Sequence, residues 1–116
     1  MRHQRPRARR YFFVANIELT DLQSEARFSD QTSDLSLFGC HVNAGEILQA
    51  GIRIRLRIVH TGAQFGAIGK VVYASPNAGM GVEFTEIEPN DQLVLERWIG
   101  RLRDAGGRVG ERASSC

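Results

Sequence analysis

Residues 52–59 read Ile52-Arg53-Ile54-Arg55-Leu56-Arg57-Ile58-Val59, aliphatic side chains alternating with arginines. A period of two is the signature of a half-buried β-strand, because successive side chains leave an extended backbone on opposite faces. Ile52, Ile54, Leu56 and Ile58 therefore predict a core face. Arg53, Arg55 and Arg57 predict a solvated strand face.

Strand signals extend from this stretch in both directions. Downstream, His60-Thr61-Gly62 suits a hairpin turn into a strand over residues 65–74, and Ser75-Pro76-Asn77-Ala78-Gly79 is a turn cluster before a strand over 80–84. Upstream, residues 11–19 are aromatic and branched, 25–32 alternate weakly around Ala26 and Phe28, and 39–42 form a short third run. Six short strands with tight connections predict an antiparallel barrel or sandwich. The period then changes. Pro89 suits a first helical position and Asp91 a first turn, while Leu95, Ile99 and Leu102 recur at i, i+4 and i+7 with Trp98 beside them. This predicts a helix over residues 89–103, ended by Ala105-Gly106-Gly107, with Trp98 in the core.

A length of 116 residues suits one domain, and 42% hydrophobic with 24% charged residues is ordinary for a globular chain. No apolar run approaches the roughly 20 residues of a membrane span, and no apolar segment follows the N-terminal arginines as a secretory signal requires. A cytoplasmic location is the expectation. The net charge of +2 is unevenly placed: Arg2, Arg5, Arg7, Arg9 and Arg10 fall in the first ten residues, leaving the rest at −3. Residues 1–10 thus form a basic arm suited to an anion (nucleic acid, nucleotide or acidic membrane), or else a solvated tail. Residues 11–103 form the domain and 104–116 a small, polar, flexible tail.

The sequence offers little for catalysis. Cys40 and Cys116 make no Cys-x-x-Cys pair, and Cys40 and His41 would point to opposite faces of a strand. Cys40 reads as a buried structural thiol, and His3 and His60 stand alone. No paired carboxylates, metal-ligand spacing or phosphate-binding glycine loop is present. The expectation is a binding module with no catalytic residue, metal or cofactor.

Two local patterns carry chemistry. In Arg5-Pro6-Arg7-Ala8-Arg9, with Arg10 next, two arginines stand four apart on a segment that Pro6 keeps out of helical geometry. The guanidinium fork matches phosphate oxygens and the O6/N7 edge of guanine. In Asp34-Leu35-Ser36-Leu37-Phe38-Gly39, the residue types suit a turn between the second and third strands, with Asp34 closing it, Ser36 satisfying a backbone group and Gly39 free to take a positive φ. An ionised Asp34 is also an acceptor-only group. It can accept both donors of guanine's Watson–Crick edge, N1–H and the N2 amino group, where adenine offers one donor and one acceptor.

Together, in this order, the two patterns resemble the signature of the PilZ domain family, bacterial receptors for cyclic di-GMP. Arg5 and Arg9 match its Arg-x-x-x-Arg segment; Asp34, Ser36 and Gly39 match its Asp/Asn-x-Ser-x-x-Gly segment. Gly79-Met80-Gly81-Val82-Glu83-Phe84 before an amphipathic helix is similar too, so the likeness covers residues 5–103. The resemblance implies a six-stranded antiparallel barrel with a C-terminal helix and the ligand across its outside. By the same resemblance Arg5 and Arg9 would clamp cyclic di-GMP with Arg10 helping. Asp34 and Ser36 would read a guanine, and Gly39 would allow close backbone approach. With no output domain attached, a bound messenger would act through a downstream protein partner.

Two other readings compete. A small barrel could bind nucleic acid through the basic arm, with Phe12 or Phe13 as stacking platforms, although adjacent residues of a strand cannot both face outward. A PilZ-like adaptor could instead bind protein partners without any ligand. The intact signature and the net-negative body favour the nucleotide.

Overall fold

The computed structural model describes residues 8–45 and 48–114, as backbone alone from residue 106 onward. Along the chain it forms β1 (Tyr11–Phe12), β2 (Asn16–Asp21), β3 (Arg27–Leu35), β4 (Gly39–Asn43), β5 (Arg53–His60), β6 (Ala63–Ser75), β7 (Gly79–Glu86) and α1 (Pro89–Ser114). The strands run in the order β1-β3-β2-β5-β6-β7-β4, and β4 pairs back onto β3. Every pairing is antiparallel. Six strands thus close into a barrel, and β1 is an extra strand laid on the end of β3. The choice between barrel and sandwich falls to the barrel.

The alternation in β5 is realised residue by residue. Ile54, Leu56 and Ile58 are buried, while Arg53, Arg55 and Arg57 are exposed. Ile17 and Leu19 of β2, Phe65 and Val71 of β6, and Met80 and Val82 of β7 complete the interior. The β5–β6 turn has positive φ at both Thr61 and Gly62, between the paired residues His60 and Ala63. That is the geometry of a two-residue hairpin whose twist matches its strands.

Leu95, Trp98 and Ile99 are buried, as their helical spacing predicts. The Trp98 ring lies 5.4 Å from Phe13, 5.8 Å from His60 and 6.3 Å from Phe65, so α1 closes the barrel against β6 and the entry of β1. Asp91 Oδ1 accepts the Gly66 amide at 2.8 Å and ties the first turn of the helix to β6.

Three expectations change. The predicted first strand over 11–19 is broken at residues 13–15. There the Thr32 hydroxyl donates to the Phe13 carbonyl (2.6 Å) and accepts from the Ala15 amide (3.0 Å), satisfying the groups that the break removes from the ladder. Asp34 lies in β3 and not in the turn after it, because burial of Leu35 carries pairing one residue further. The helix runs to Ser114, past the 89–103 span and through the residues expected to form a tail. A glycine in a helix interior costs about 1 kcal/mol relative to alanine yet keeps its N–H, so Gly106 and Gly107 need not stop it.

Candidate functional site

The site begins where β1 lies on β3. Tyr11 faces Leu35 and Phe12 faces Asp34 in the register, fixed by the Phe13 amide on the Ser33 carbonyl at 3.1 Å. Fully buried Leu35 and nearly buried Phe13 hold the two segments from inside. The residue before β1 is Arg10, which reaches across to Asp34 with a fork. Nη2 donates to Oδ1 at 3.0 Å and to Oδ2 at 3.2 Å, and Nε donates to Oδ1 at 3.3 Å. The two side chains are 52% and 28% exposed. At that exposure an ion pair contributes little to stability, about 0–1 kcal/mol. What the fork supplies is orientation of the carboxylate.

Asp34 faces outward because of a bulge. Thr32 pairs with Val42 and Asp34 with His41, so Ser33 is an extra residue that shifts the phase of the strand. Without it Asp34 would share the inward face of fully buried Thr32. Ser36 builds the turn that follows. Its hydroxyl accepts the amides of Phe38 and Gly39, each at 3.1 Å, and its own amide donates to the Gly39 carbonyl at 2.8 Å. Gly39 is absent from the positive-φ residues, contrary to the sequence-based expectation. It is held to glycine by a neighbour, since a Cβ there would run into the carbonyl oxygen of Val82 on β7.

Tyr73 completes the cluster, and sequence reasoning missed it. Counting inward from Phe65, Ala67, Gly69 and Val71 points residue 73 into the core. The β6–β7 register shifts between Val71 and Tyr73, and this second bulge turns the Tyr73 ring onto the outer surface over Gly81. There it stacks on His41 (centroids 5.9 Å apart, planes 29° apart), and His41 Nδ1 meets Ser33 Oγ at 2.8 Å. The Tyr73 hydroxyl and the Asp34 carboxylate together raise the Arg10 guanidinium above its ordinary pKa, against the opposing effect of burial. Only the glycine facing Tyr73 hints at this arrangement in the sequence, because an aromatic ring can cover the backbone that a glycine leaves bare.

The predicted site residues therefore divide. Arg10, Asp34, Ser36 and Gly39 come together; Arg9 is exposed and lies over the Tyr11 ring, 5.6 Å from its centroid. Arg5 falls outside the described residues, as does most of the expected arm. Arg10, Ser36 and Gly39, with Ala8, Phe38 and Tyr73, border a shallow depression of about 160 Å³. A larger groove of about 1040 Å³ runs over β2, β3, β5 and β6 beside the segment 86–91 and includes none of the signature residues. Both are lined by polar side chains, and it is the signature residues that single out the smaller depression. Among the described residues no His, Cys, Asp and Glu side chains group as a metal site would need, and no helix is long and apolar enough to cross a membrane.

The sequence matches the model of the PilZ domain over residues 2–101. The chain belongs to the PilZ domain family. No curated protein is significantly similar to it in sequence. Among solved structures, this PilZ domain superposes on the inhibitor of motility MotI/DgrA of Bacillus subtilis with a TM-score of 0.69 at 24% identity, covering 93% of this chain and 55% of that one. The PilZ domain of Escherichia coli YcgR, solved with cyclic di-GMP, gives 0.69 at 20% identity over 92% of this chain and 98% of that one. The PilZ domain of CeSA from a cellulose-synthesizing bacterium gives 0.66 at 18% identity, over 82% and 98%. The chain thus spans about half the length of MotI and 98% of each isolated PilZ domain. Identities this low establish a shared fold: a closed six-stranded barrel, one extra strand and a C-terminal helix.

Proposed function

We propose that this PilZ domain is a cytoplasmic, non-catalytic receptor for cyclic di-GMP that passes its bound state to a protein partner. The observation that carries the reading is the Arg10 fork on Asp34 at the rim of the depression bordered by Ser36 and Gly39. An ionised carboxylate has about four lone-pair sites. The Arg10 fork takes three of them, two on Oδ1 and one on Oδ2; release of the Nη2–Oδ1 contact on binding leaves one site on each oxygen, for the N1–H and the N2 amino group of a guanine. Arg10 keeps that edge aimed, and Arg5 and Arg9 of the arm bring further guanidinium groups to the phosphates. The structural relatives support the ligand class, the PilZ domain of YcgR having been solved with cyclic di-GMP.

Calorimetric titration tests this. Wild type should bind cyclic di-GMP and bind cyclic di-AMP far more weakly. Alanine at Asp34, Arg10, Arg9 or Arg5 should weaken binding by about one to two orders of magnitude, as loss of a contact worth roughly 1–3 kcal/mol implies. Alanine at Arg2 or Arg7, the same residue type outside the signature, should change it little. Equal affinity for the two dinucleotides, or equal losses at all five arginines, would overturn the specific site.

A further inference from the structure

Phe12 is the most exposed large apolar residue among the described side chains, at 81% of its surface, whereas Phe13 beside it is buried at 4%. The position of Phe12 is closely determined. It faces Asp34 directly in the β1–β3 register, and the hydrogen bond from the Phe13 amide to the Ser33 carbonyl makes Phe12/Asp34 the non-hydrogen-bonded pair of the ladder. In such pairs the side chains stand closest, with Cβ atoms about 4.5–5.5 Å apart on one face. Arg10, two residues earlier in the chain, bonds the same carboxylate. The Asp34 carboxylate therefore has a charged fork and an open aromatic ring as neighbours. Among the described residues the ring of Phe12 has no aromatic or cationic partner, and the core makes no use of it.

We propose that Phe12 is the stacking wall of the site, lying against the face of the purine whose edge Asp34 accepts. The proposal rests on the cyclic di-GMP reading and deepens it. A carboxylate defines the edge of a base but not the plane above and below it. Water would compete for the donors of a base held by its edge alone. A flat apolar ring beside the carboxylate excludes that water and fixes the tilt of the base. Stacking favours any purine, so Phe12 contributes affinity while Asp34 contributes the choice of guanine.

That division of labour makes the test specific. Titration of Phe12→Ala with cyclic di-GMP should show about tenfold weaker binding, the order of loss when a base loses its aromatic platform. The ratio of cyclic di-GMP to cyclic di-AMP affinity should stay at the wild-type value. Phe12→Leu, apolar but not aromatic, should rescue poorly, and Phe12→Trp should restore affinity with its fluorescence quenched on binding. A ring that merely propped Asp34 and Arg10 would change the ratio as well, which overturns the stacking role. Unchanged affinity in Phe12→Ala overturns it too. If wild type fails to bind cyclic di-GMP at all, the receptor reading falls and the stacking wall with it. If wild type binds and Asp34→Ala abolishes the preference while Phe12→Ala is silent, only the stacking wall falls.

Discussion

At Gly39 a Cβ would meet the Val82 carbonyl oxygen and lie 3.3 Å from the Glu83 Cα, both backbone atoms fixed by the β4–β7 ladder. Neither can yield as the tip of a side chain would. Gly39→Ala should therefore cost about 1–3 kcal/mol of stability, read as a lower midpoint in chemical denaturation, and weaken cyclic di-GMP binding by distorting the turn. A midpoint within error of wild type would show that the ladder gives way. Ser36 differs in kind. Its hydroxyl serves two amides of the same turn, so its role is to fix the loop after Asp34 before any ligand arrives.

β1 is two residues long and depends on what surrounds it. The Thr32 hydroxyl bridges the Phe13 carbonyl and the Ala15 amide, all near the core, and lets the chain break between β1 and β2 without unpaired buried groups. Thr32→Val keeps the shape and removes the bridge. Leaving a buried donor and acceptor unsatisfied costs about 1–3 kcal/mol. The loss should be local first: amides of Tyr11 to Phe13 should exchange faster while those of β5 stay protected. Because β1 carries Arg10 to Asp34, cyclic di-GMP binding should weaken in parallel. Unchanged exchange at Phe13 would show that β1 is held by Leu35 and Phe13 packing alone.

The closed barrel also determines what its interior can do. Cys40 lies inside the barrel, 3% exposed. Burial, reinforced by the negative charge of Asp34 and opposed by Arg10, pushes its thiol from 9.0 up to about 12. A thiol so protonated should resist alkylation until the barrel opens, so in a Cys116→Ser background labelling of Cys40 should track global unfolding. Between those two pKa values the unfolded chain releases a proton that the folded chain retains. Stability from this group is thus complete below about pH 9 and lost as pH rises toward 12. The fall in Tm from pH 8 to pH 10.5 should accordingly be smaller in Cys40→Ala. Rapid labelling under native conditions, or equal falls in both proteins, would contradict the buried thiol.

The sequence by itself determined the elements whose information is local. The Ile/Arg alternation of β5, the turn at Thr61-Gly62 and the Leu95-Trp98-Ile99 stripe each carry their own period or φ requirement. The basic arm and the signature residues at 34, 36 and 39 were legible for the same reason, being matters of residue type and spacing. Which side chains meet was decided only by the tertiary structure. Closure pairs β3 with β4 and places one extra residue at Ser33, and the β6–β7 pairing places another at Val72. Each bulge reverses the inward and outward faces beyond it, bringing Asp34 and Tyr73 to the surface beside Arg10. A two-residue period holds only while the partner strand keeps step, and the partner's register is not written in the strand itself.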